Sequence, residues 1–154
     1  MSIETFKICL VGDARVGKTT FTHALLSNKF KQTYSPTLGV EVDVVIRDIV
    51  DKKIRFNIWD CAGDKNFQGL KDGYYLKANA FIVMFDVSKP LDEFKKIYKE
   101  ISKKNVPILV VGNKIDLNPT FDWSKIECKD KIGISTKSLS GLNVVFERLA
   151  QLIE

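Results

Sequence analysis

Histidine and cysteine are scarce in this chain, which has one histidine and three cysteines. Cys9, Cys61 and Cys128 are far apart, and no C-x-x-C pair occurs. A structural zinc site takes four closely spaced Cys or His ligands, so the sequence does not support one. We expect Cys9 to pack as a small core residue on a strand, and His23 to lie on a helix without a role in any reaction.

Long apolar runs are also missing, although 45% of the residues are hydrophobic. No run approaches the ~20 residues that a membrane-spanning helix needs. The first residues contain no basic stretch ahead of an apolar one, Ser2 is not the glycine that myristoylation needs, and no cysteine lies near the last residue. We therefore expect neither a secretory signal nor a lipid anchor. The 154 residues are expected to form one soluble domain, residues 1–154, in an interior compartment.

The net charge of +5 is not gathered into one basic patch. Solvent-exposed faces explain the charge, and acidic protein partners would explain it equally well. We therefore expect no nucleic-acid partner. The lysines are scattered, with acidic residues between them, and several occur as pairs: Lys52-Lys53, Lys95-Lys96 and Lys103-Lys104.

Hydrophobic periodicity predicts strands and helices that alternate along most of the chain. Apolar runs at 80–87 and 107–111 are typical of strands buried on both faces of a parallel sheet. Strands at 40–49 and 53–59 are expected to form an antiparallel hairpin through a polar turn at Asp51-Lys52-Lys53. We predict an α/β fold, with a mostly parallel sheet of about six strands, one antiparallel hairpin strand and helices on both faces. The other predicted elements are strands at about 6–11 and 132–134, and helices at about 17–29, 91–101 and 142–152.

Residues 12–19 fit the pattern G-x-x-x-x-G-K-S/T and lie between the first predicted strand and the first predicted helix. In that context a glycine loop forms a phosphate cradle, because backbone N–H groups and the positive end of the helix converge on the phosphate oxygens. Lys18 is expected to reach the outer phosphates, and the Thr19 hydroxyl to ligate Mg²⁺. The pattern therefore predicts a P-loop nucleotide-binding domain.

Asp60 ends a predicted strand downstream of this loop, and Gly63 follows it closely. A carboxylate at this point can hold Mg²⁺, usually through water, while the Gly63 N–H reaches a terminal phosphate. Asp-x-x-Gly is a common pattern by itself, and its place after a phosphate loop makes it informative.

Asn113-Lys114-Ile115-Asp116 follows the strand predicted at 107–111. The Asp116 carboxylate can accept two hydrogen bonds from the N1–H and exocyclic amino group of guanine, a pair of donors that adenine lacks. Ser135-Thr136-Lys137 follows the last predicted strand, where backbone N–H groups can meet the guanine oxygen. The first motif alone could be a polar turn that binds nothing, but its combination with Lys18 and Asp60 favours guanine.

These motifs together resemble those of small GTPases of the Ras superfamily, and the likeness covers nearly the whole chain. The resemblance implies a monomeric switch that binds GTP or GDP with Mg²⁺ and hydrolyses GTP to GDP and phosphate. Four further segments resemble the Ran subfamily more than Ras or Rho proteins: Thr37-Leu38-Gly39-Val40-Glu41-Val42, Phe56-Asn57-Ile58-Trp59-Asp60, Gly69-Leu70-Lys71-Asp72-Gly73-Tyr74-Tyr75 and Met84-Phe85-Asp86-Val87. This likeness implies nucleocytoplasmic transport in the cytoplasm, the nucleus or both, with an exchange factor, an activating protein and transport receptors as partners.

The resemblance also assigns roles by position. Phe30 would stack on the base edge, Tyr34 would cover the phosphates, and Thr37 would bind Mg²⁺ and the γ-phosphate. Loops at about 30–40 and 61–73 would then relax on hydrolysis. The implied catalytic residues are Lys18, Thr37, Gly63 and Asp64, and the implied Mg²⁺ ligands are Thr19, Thr37 and Asp60. The implied nucleotide-binding residues are Asp13, Ala14, Arg15, Val16, Gly17, Lys18, Thr19, Thr20, Phe30, Tyr34, Thr37, Gly63, Asn113, Lys114, Asp116, Ser135, Thr136 and Lys137.

The chain departs from the family pattern at several points. Asp64 stands where the family usually has a glutamine that orients the attacking water. Aspartate is shorter and, when ionised, is repelled by the negative γ-phosphate. Ala14, where Ras has glycine, adds a methyl group that can crowd an incoming arginine finger. Both changes predict slow hydrolysis. The chain is also shorter than a typical member between Asp116 and Ser135.

Two other functions fit part of the sequence. A GTP-loaded, nearly non-hydrolysing binding module, acting as a decoy for the partners of Ran proteins, would explain Asp64 and Ala14. A P-loop phosphotransferase acting on a small metabolite would explain the phosphate loop but would leave the motif at 113–116 without a role. The intact Lys18 and Thr19 keep the slow GTPase as the first hypothesis.

Overall fold

The computed structural model describes residues 3–12, 21, 31–35, 40–60, 75–135 and 141–153, with the side chains of 31–35, 40 and 41 excepted. The strands are β1 Ile3–Gly12, β2 Lys31–Ser35, β3 Val40–Ile49, β4 Lys52–Asp60, β5 Ala80–Asp86, β6 Ile108–Asn113 and β7 Lys131–Gly133. The described helices are α1 Asp92–Ser102 and α2 Leu142–Ile153, with short 3-10 turns η1 Ile115–Leu117 and η2 Trp123–Lys125. Within these ranges, no helix is long and apolar enough to cross a membrane.

The strands form one sheet in the order β2-β3-β4-β1-β5-β6-β7. β1 pairs in parallel with β4 and β5, and the parallel arrangement continues through β6 to β7. Only the pairs β2–β3 and β3–β4 are antiparallel among the described strands. The predicted α/β class and the mostly parallel sheet are confirmed.

Strand β2 adds a seventh strand to the approximately six that were predicted. The segment at 30–40 was predicted to be a loop, but Lys31–Ser35 pairs with the edge of β3, with Tyr34 opposite Glu41. The polar composition of the segment did not indicate a strand. An edge strand can form through hydrogen bonds to the backbone of β3 without having an apolar face. The backbone of Tyr34 therefore lies at the outer edge of the sheet.

The alternation of side chains along β1 divides the core into two layers. Ile8 and Leu10 are fully buried in a cluster with residues of α2, whereas Cys9 and Val11 are buried in a second cluster with residues of α1. Successive residues of a strand point to opposite faces, so the two helices cover opposite faces of the sheet. This confirms the prediction of helices on both faces, and Cys9 is a buried core residue as expected. Phe21, from the first predicted helix, is buried in the α2 layer.

Each described helix buries one apolar stripe. Phe94 and Ile101 of α1 are buried, while Asp92 and Glu93 in its first turn favourably meet the positive end of the helix dipole. In α2 the spacing of the buried residues follows the helical period. These residues are Leu142, Val145, Phe146, Leu149 and Ala150.

The β3–β4 hairpin turns earlier than predicted. The sequence placed the turn at Asp51-Lys52-Lys53, whereas Ile49 pairs with Lys52 and the loop consists of Val50 and Asp51. Both residues have positive φ, 46° at Val50 and 62° at Asp51. A two-residue loop with two positive φ angles matches the twist of a hairpin, and this geometric requirement prevailed over the polarity of the lysines.

Val50 is an unfavourable residue for this turn, because a β-branched side chain rarely takes positive φ. The left-handed conformation costs roughly 1–2 kcal/mol for such residues and less for asparagine. We expect Val50→Asn to raise the free energy of unfolding by about 1 kcal/mol, which corresponds to about 2–4 °C in Tm for a domain of this size. Urea and thermal unfolding would measure the gain.

Val50→Thr is the matched control, because it removes apolar surface from a side chain that is 87% exposed while keeping the β-branch. The threonine variant should therefore show no comparable gain. Equal stabilisation by threonine and asparagine would attribute the effect to surface polarity and contradict the proposed strain.

Candidate functional site

The described candidate site residues lie at one edge of the sheet. The parallel strands β1, β4, β5 and β6 end at Gly12, Asp60, Asp86 and Asn113. Their carboxyl ends meet at this edge because neighbouring parallel strands run in the same direction, and ligands of such sheets bind there. Ser135 follows β7 closely and reaches the same edge through a contact described below.

Asn113 is a buried residue that fixes the start of the segment at 113–116. Its Oδ1 accepts a hydrogen bond of 2.8 Å from the Lys114 N–H, and its carbonyl accepts one of 3.1 Å from the Val87 N–H. Lys114 then adopts a left-handed conformation, with φ 64° and ψ 35°. The chain therefore turns sharply out of β6, and Asp116 lies in the turn η1 above the sheet edge.

Asp116 and Ser135 are brought together although they are 19 residues apart in the chain. The Ser135 hydroxyl, which is buried, donates a hydrogen bond of 2.8 Å to Asp116 Oδ1. Asp116 itself is exposed. An ionised carboxylate has about four acceptor positions, so the bond from Ser135 orients the group and leaves most of its capacity for a ligand.

Lys114 forms an ion pair with Asp86, with 2.9 Å between Nζ and Oδ2. The Asp86 side chain is 2% exposed and that of Lys114 is 35% exposed. Asp86 Oδ1 also accepts hydrogen bonds from the Ser88 N–H at 2.8 Å and the Ser88 hydroxyl at 2.6 Å. Burial by itself raises the pKa of Asp86, but the hydrogen bonds from Ser88 and Lys114 outweigh it and hold the pKa below its ordinary value.

The family model that describes the Ras family matches residues 7–153. The chain belongs to the Ras family. It is therefore a small GTPase, which binds guanine nucleotide with Mg²⁺, hydrolyses GTP and works with regulatory protein partners. Several residues predicted to bind the nucleotide or Mg²⁺ lie at the carboxyl edge of its sheet. They are Asp60, Asn113, Lys114, Asp116 and Ser135.

The donor chemistry at the edge fits the Mg²⁺ that Ras-family proteins bind. Asp60 is a half-buried carboxylate at the end of β4, opposite Leu10 in β1 and therefore beside the start of the predicted phosphate loop. Among the described residues, no group of three or more His, Cys, Asp or Glu side chains could hold a metal by itself. One carboxylate is sufficient where hydroxyl, water and phosphate oxygens complete the shell, which is how Mg²⁺ is usually bound beside nucleotides.

Apart from Tyr34, the remaining predicted site residues lie outside what the structure describes. Tyr34 is on β2, and only its backbone is described. The predicted residues outside the described ranges are Asp13, Ala14, Arg15, Val16, Gly17, Lys18, Thr19, Thr20, Phe30, Thr37, Gly63, Asp64, Thr136 and Lys137.

Asp86 is a residue of this Ras-family site to which the sequence motifs assigned no role, although it lies in the segment Met84-Phe85-Asp86-Val87. A signal existed in the sequence, since an acidic residue ends the otherwise apolar strand β5 at its carboxyl end. Its partner, Lys114, could not be identified from the sequence. Lys114 comes close to Asp86 only because Asp86 pairs with the preceding residue, Asn113, in the adjacent strand. Asp86 and Ser88 together hold the lysine of the segment at 113–116.

Replacing Asp86 with asparagine should destabilise the protein in a pH-dependent way. Hydrogen bonds to a charged group contribute about 1.5–3 kcal/mol each, so we expect a loss of about that size at pH 7. Because the pKa of Asp86 is lowered in the folded state, its contribution is complete above the ordinary carboxyl value of 3.8 and is lost as the pH falls through the lower folded pKa. Urea unfolding of both proteins between pH 7 and pH 3 would measure this.

Asp122→Asn serves as the control, because Asp122 Oδ1 also accepts two bonds from a serine, Ser124, at 3.1 and 2.6 Å but lies exposed. It should change stability less than Asp86→Asn. A difference between wild type and Asp86→Asn that stayed constant down to pH 3 would show that the charge of Asp86 is not the cause.

Proposed function

We propose that this Ras-family chain is a Ran-like guanine-nucleotide switch that hydrolyses GTP slowly and meets its protein partners through residues 30–40 and 61–73. The observation that carries the nucleotide part of the proposal is the 2.8 Å hydrogen bond from Ser135 to Asp116. It joins the two predicted base-binding segments at the carboxyl edge of the sheet. In this proposal residues 1–154 form one G domain.

Asp116 selects the base in this proposal. Guanine offers two neighbouring donors, N1–H and the exocyclic amino group, and a carboxylate held in one orientation accepts both. Adenine presents no such pair, so it leaves the carboxylate without partners, and a site built on specific hydrogen bonds rejects such a ligand steeply. Lys114, held by Asp86, supports the segment from the side, and the backbone N–H groups of Thr136 and Lys137 meet the guanine oxygen.

The phosphates and Mg²⁺ are assigned to residues that follow β1 and β4. Residues 13–20 cradle the phosphates, with Lys18 on the outer ones. Thr19, Thr37 and Asp60 hold Mg²⁺. Phe30 stacks on the base edge, Tyr34 covers the phosphates, and the Gly63 N–H contacts the γ-phosphate. The position of Asp60 at the end of β4, beside the end of β1, supports this arrangement.

The slow rate rests on Asp64 and Ala14. Asp64 replaces the glutamine that orients the attacking water, and when ionised it is repelled by the negative γ-phosphate. The Ran-like partners rest on sequence likeness in the four segments named above, and with them we place the protein in the cytoplasm, the nucleus or both.

The experiment that tests the proposal begins with the purified chain stripped of nucleotide. Titration with fluorescent GDP and ADP at millimolar Mg²⁺ should show tight binding of GDP and a large loss with ADP. Removal of Mg²⁺ with EDTA should speed GDP release. Equal affinities for the two nucleotides, or no binding of either, would refute the guanine switch.

A second function is favoured by Asp64 itself, namely a GTP-loaded module that occupies the partners of Ran proteins and scarcely hydrolyses. A single-turnover assay with γ-labelled GTP separates the two. Phosphate release well above the rate of GTP in buffer supports the switch, and a rate equal to the buffer rate supports the module. GTP retained through purification would also favour the module.

A further inference from the structure

The indole of Trp123 occupies the space above two paired glycines. Gly112 of β6 and Gly133 of β7 are neighbours across the sheet. A Cβ atom at Gly112 would lie 2.8 Å from Trp123 Cη2, and one at Gly133 would lie 2.9 Å from Trp123 Cζ2. Carbon atoms in favourable contact are about 3.5–4.0 Å apart, so a larger residue at Gly133 would clash with Trp123, and one at Gly112 would clash with Trp123, Val87 and Phe85.

Gly112 directly precedes the segment at 113–116, and Gly133 lies two residues before Ser135, so both glycines lead into the segments proposed to bind the base. Gly112 is followed by Asn113, and its carbonyl accepts a hydrogen bond of 2.8 Å from the Ile134 N–H. The Ile134 carbonyl in turn accepts one of 3.1 Å from the Ile115 N–H. The indole therefore packs against the hydrogen-bonded backbone segments that lead to Asp116 and Ser135.

Trp123 is itself held from several directions. Its ring meets those of Phe85 and Phe121 edge to face, with centroid distances of 6.1 and 5.1 Å. The Lys131 ammonium donates hydrogen bonds to the Trp123 carbonyl at 3.1 Å and to the Ile126 carbonyl at 2.9 Å. Because these contacts restrict the position of the indole, they also restrict the two glycine backbones that pack against it.

We propose that Trp123 is a positioning residue for guanine recognition, acting through the backbone of Gly112 and Gly133. It sets the distance between the segment at 113–116 and Ser135, and so aligns the Asp116 carboxylate with the two donors of guanine. Trp123 lies in the short turn η2, within the stretch between Asp116 and Ser135 that is shorter than in a typical Ras-family protein. This inference rests on the proposed role of Asp116.

The test compares GDP with inosine diphosphate, which lacks the exocyclic amino group and therefore offers Asp116 one donor instead of two. In the wild type, GDP should bind more tightly than inosine diphosphate. Trp123→Ala should weaken GDP binding by about tenfold or more and reduce the ratio of the two affinities, because a misaligned carboxylate gains less from the second donor. Trp123→Phe, which keeps a ring above the glycines, should give a GDP affinity and a ratio between those of the wild type and Trp123→Ala.

Two further variants guard against a merely structural effect. Gly133→Ala places a methyl group against the indole and should also reduce the GDP to inosine diphosphate ratio. Ile101→Val removes a methyl group from the same buried layer near the end of α1, so it should lower Tm and leave the ratio unchanged. If Trp123→Ala does not fold, Trp123→Phe and Gly133→Ala decide the question.

The outcomes are separable from those of the proposed function. Equal binding of GDP and ADP by the wild type would refute the guanine site itself. A wild type that prefers GDP, with Trp123→Phe and Gly133→Ala that lose stability but keep the inosine diphosphate ratio within about twofold, would overturn the positioning role while leaving the guanine site intact.

Discussion

Asp116→Asn is expected to lower the affinity for GDP by a factor on the order of 10³ to 10⁵. An asparagine side chain presents one acceptor and one amide donor, and the donor opposes the exocyclic amino group of guanine. Sites built on specific hydrogen bonds lose about 10⁴–10⁵ when a required partner is absent, because the remaining groups are left unpaired. Equilibrium titration with fluorescent GDP at fixed Mg²⁺ would measure the loss.

The same substitution should improve the binding of xanthosine diphosphate. Xanthine carries an oxygen in place of the amino group, and the new amide donor can meet that oxygen. Asp48→Asn is the matched control, because Asp48 is an exposed residue of β3 that lies opposite Lys53 in the strand register, at the far end of β4 from the proposed site. GDP affinity that is unchanged by Asp116→Asn, or lowered equally by Asp48→Asn, would contradict base selection by Asp116.

Asp64→Gln is expected to accelerate GTP hydrolysis by at least about fivefold. Two like charges ~4 Å apart repel by about 1 kcal/mol in water and by about 4 kcal/mol at the effective dielectric constant near a protein surface. Each 1.4 kcal/mol changes a rate about tenfold, so removal of the charge corresponds to between about fivefold and about a thousandfold. Single-turnover phosphate release from GTP-loaded protein would measure the change.

Asp64→Asn separates charge from water positioning, because asparagine has the shape of aspartate and the amide of glutamine. If repulsion limits the rate, Asp64→Asn should recover much of the gain, and if positioning limits it, only Asp64→Gln should be faster. Both variants should bind GTP at least as tightly as wild type. Hydrolysis that is unchanged in both would show that Asp64 does not slow the reaction.

Local patterns were sufficient for the class of the fold. The alternation along β1 and the uninterrupted apolar run of β5 each predict a strand from neighbouring residues alone, and both strands are present. The apolar spacing along α1 and α2 likewise predicted helices at nearly their observed positions. Periodicity is a property of the chain itself, because a side chain must meet the core at every turn or at every second residue.

The candidate site was predictable only where its residues are consecutive. The segment at 113–116 is visible as a motif, and the carboxyl-edge rule placed it near Ser135, but neither shows that the two meet through Asp116 and the Ser135 hydroxyl. The pair of Lys114 with Asp86 and the contact of Trp123 with the glycines were not foreseen. In each of these cases the partners lie on different strands or turns.

The amino-acid order by itself determined strands β1 and β3 to β7, the two described helices, the parallel sheet and the positions where polar motifs follow strands. Tertiary structure alone decided that Lys31–Ser35 pairs as an edge strand, that the hairpin turns at Val50, and that Asp86 and Trp123 support the edge where Asp116 lies. The physical reason is that these contacts depend on strand register and on backbone geometry. Strand register and backbone geometry are established when distant segments pack together, and neither produces a periodic pattern in the sequence.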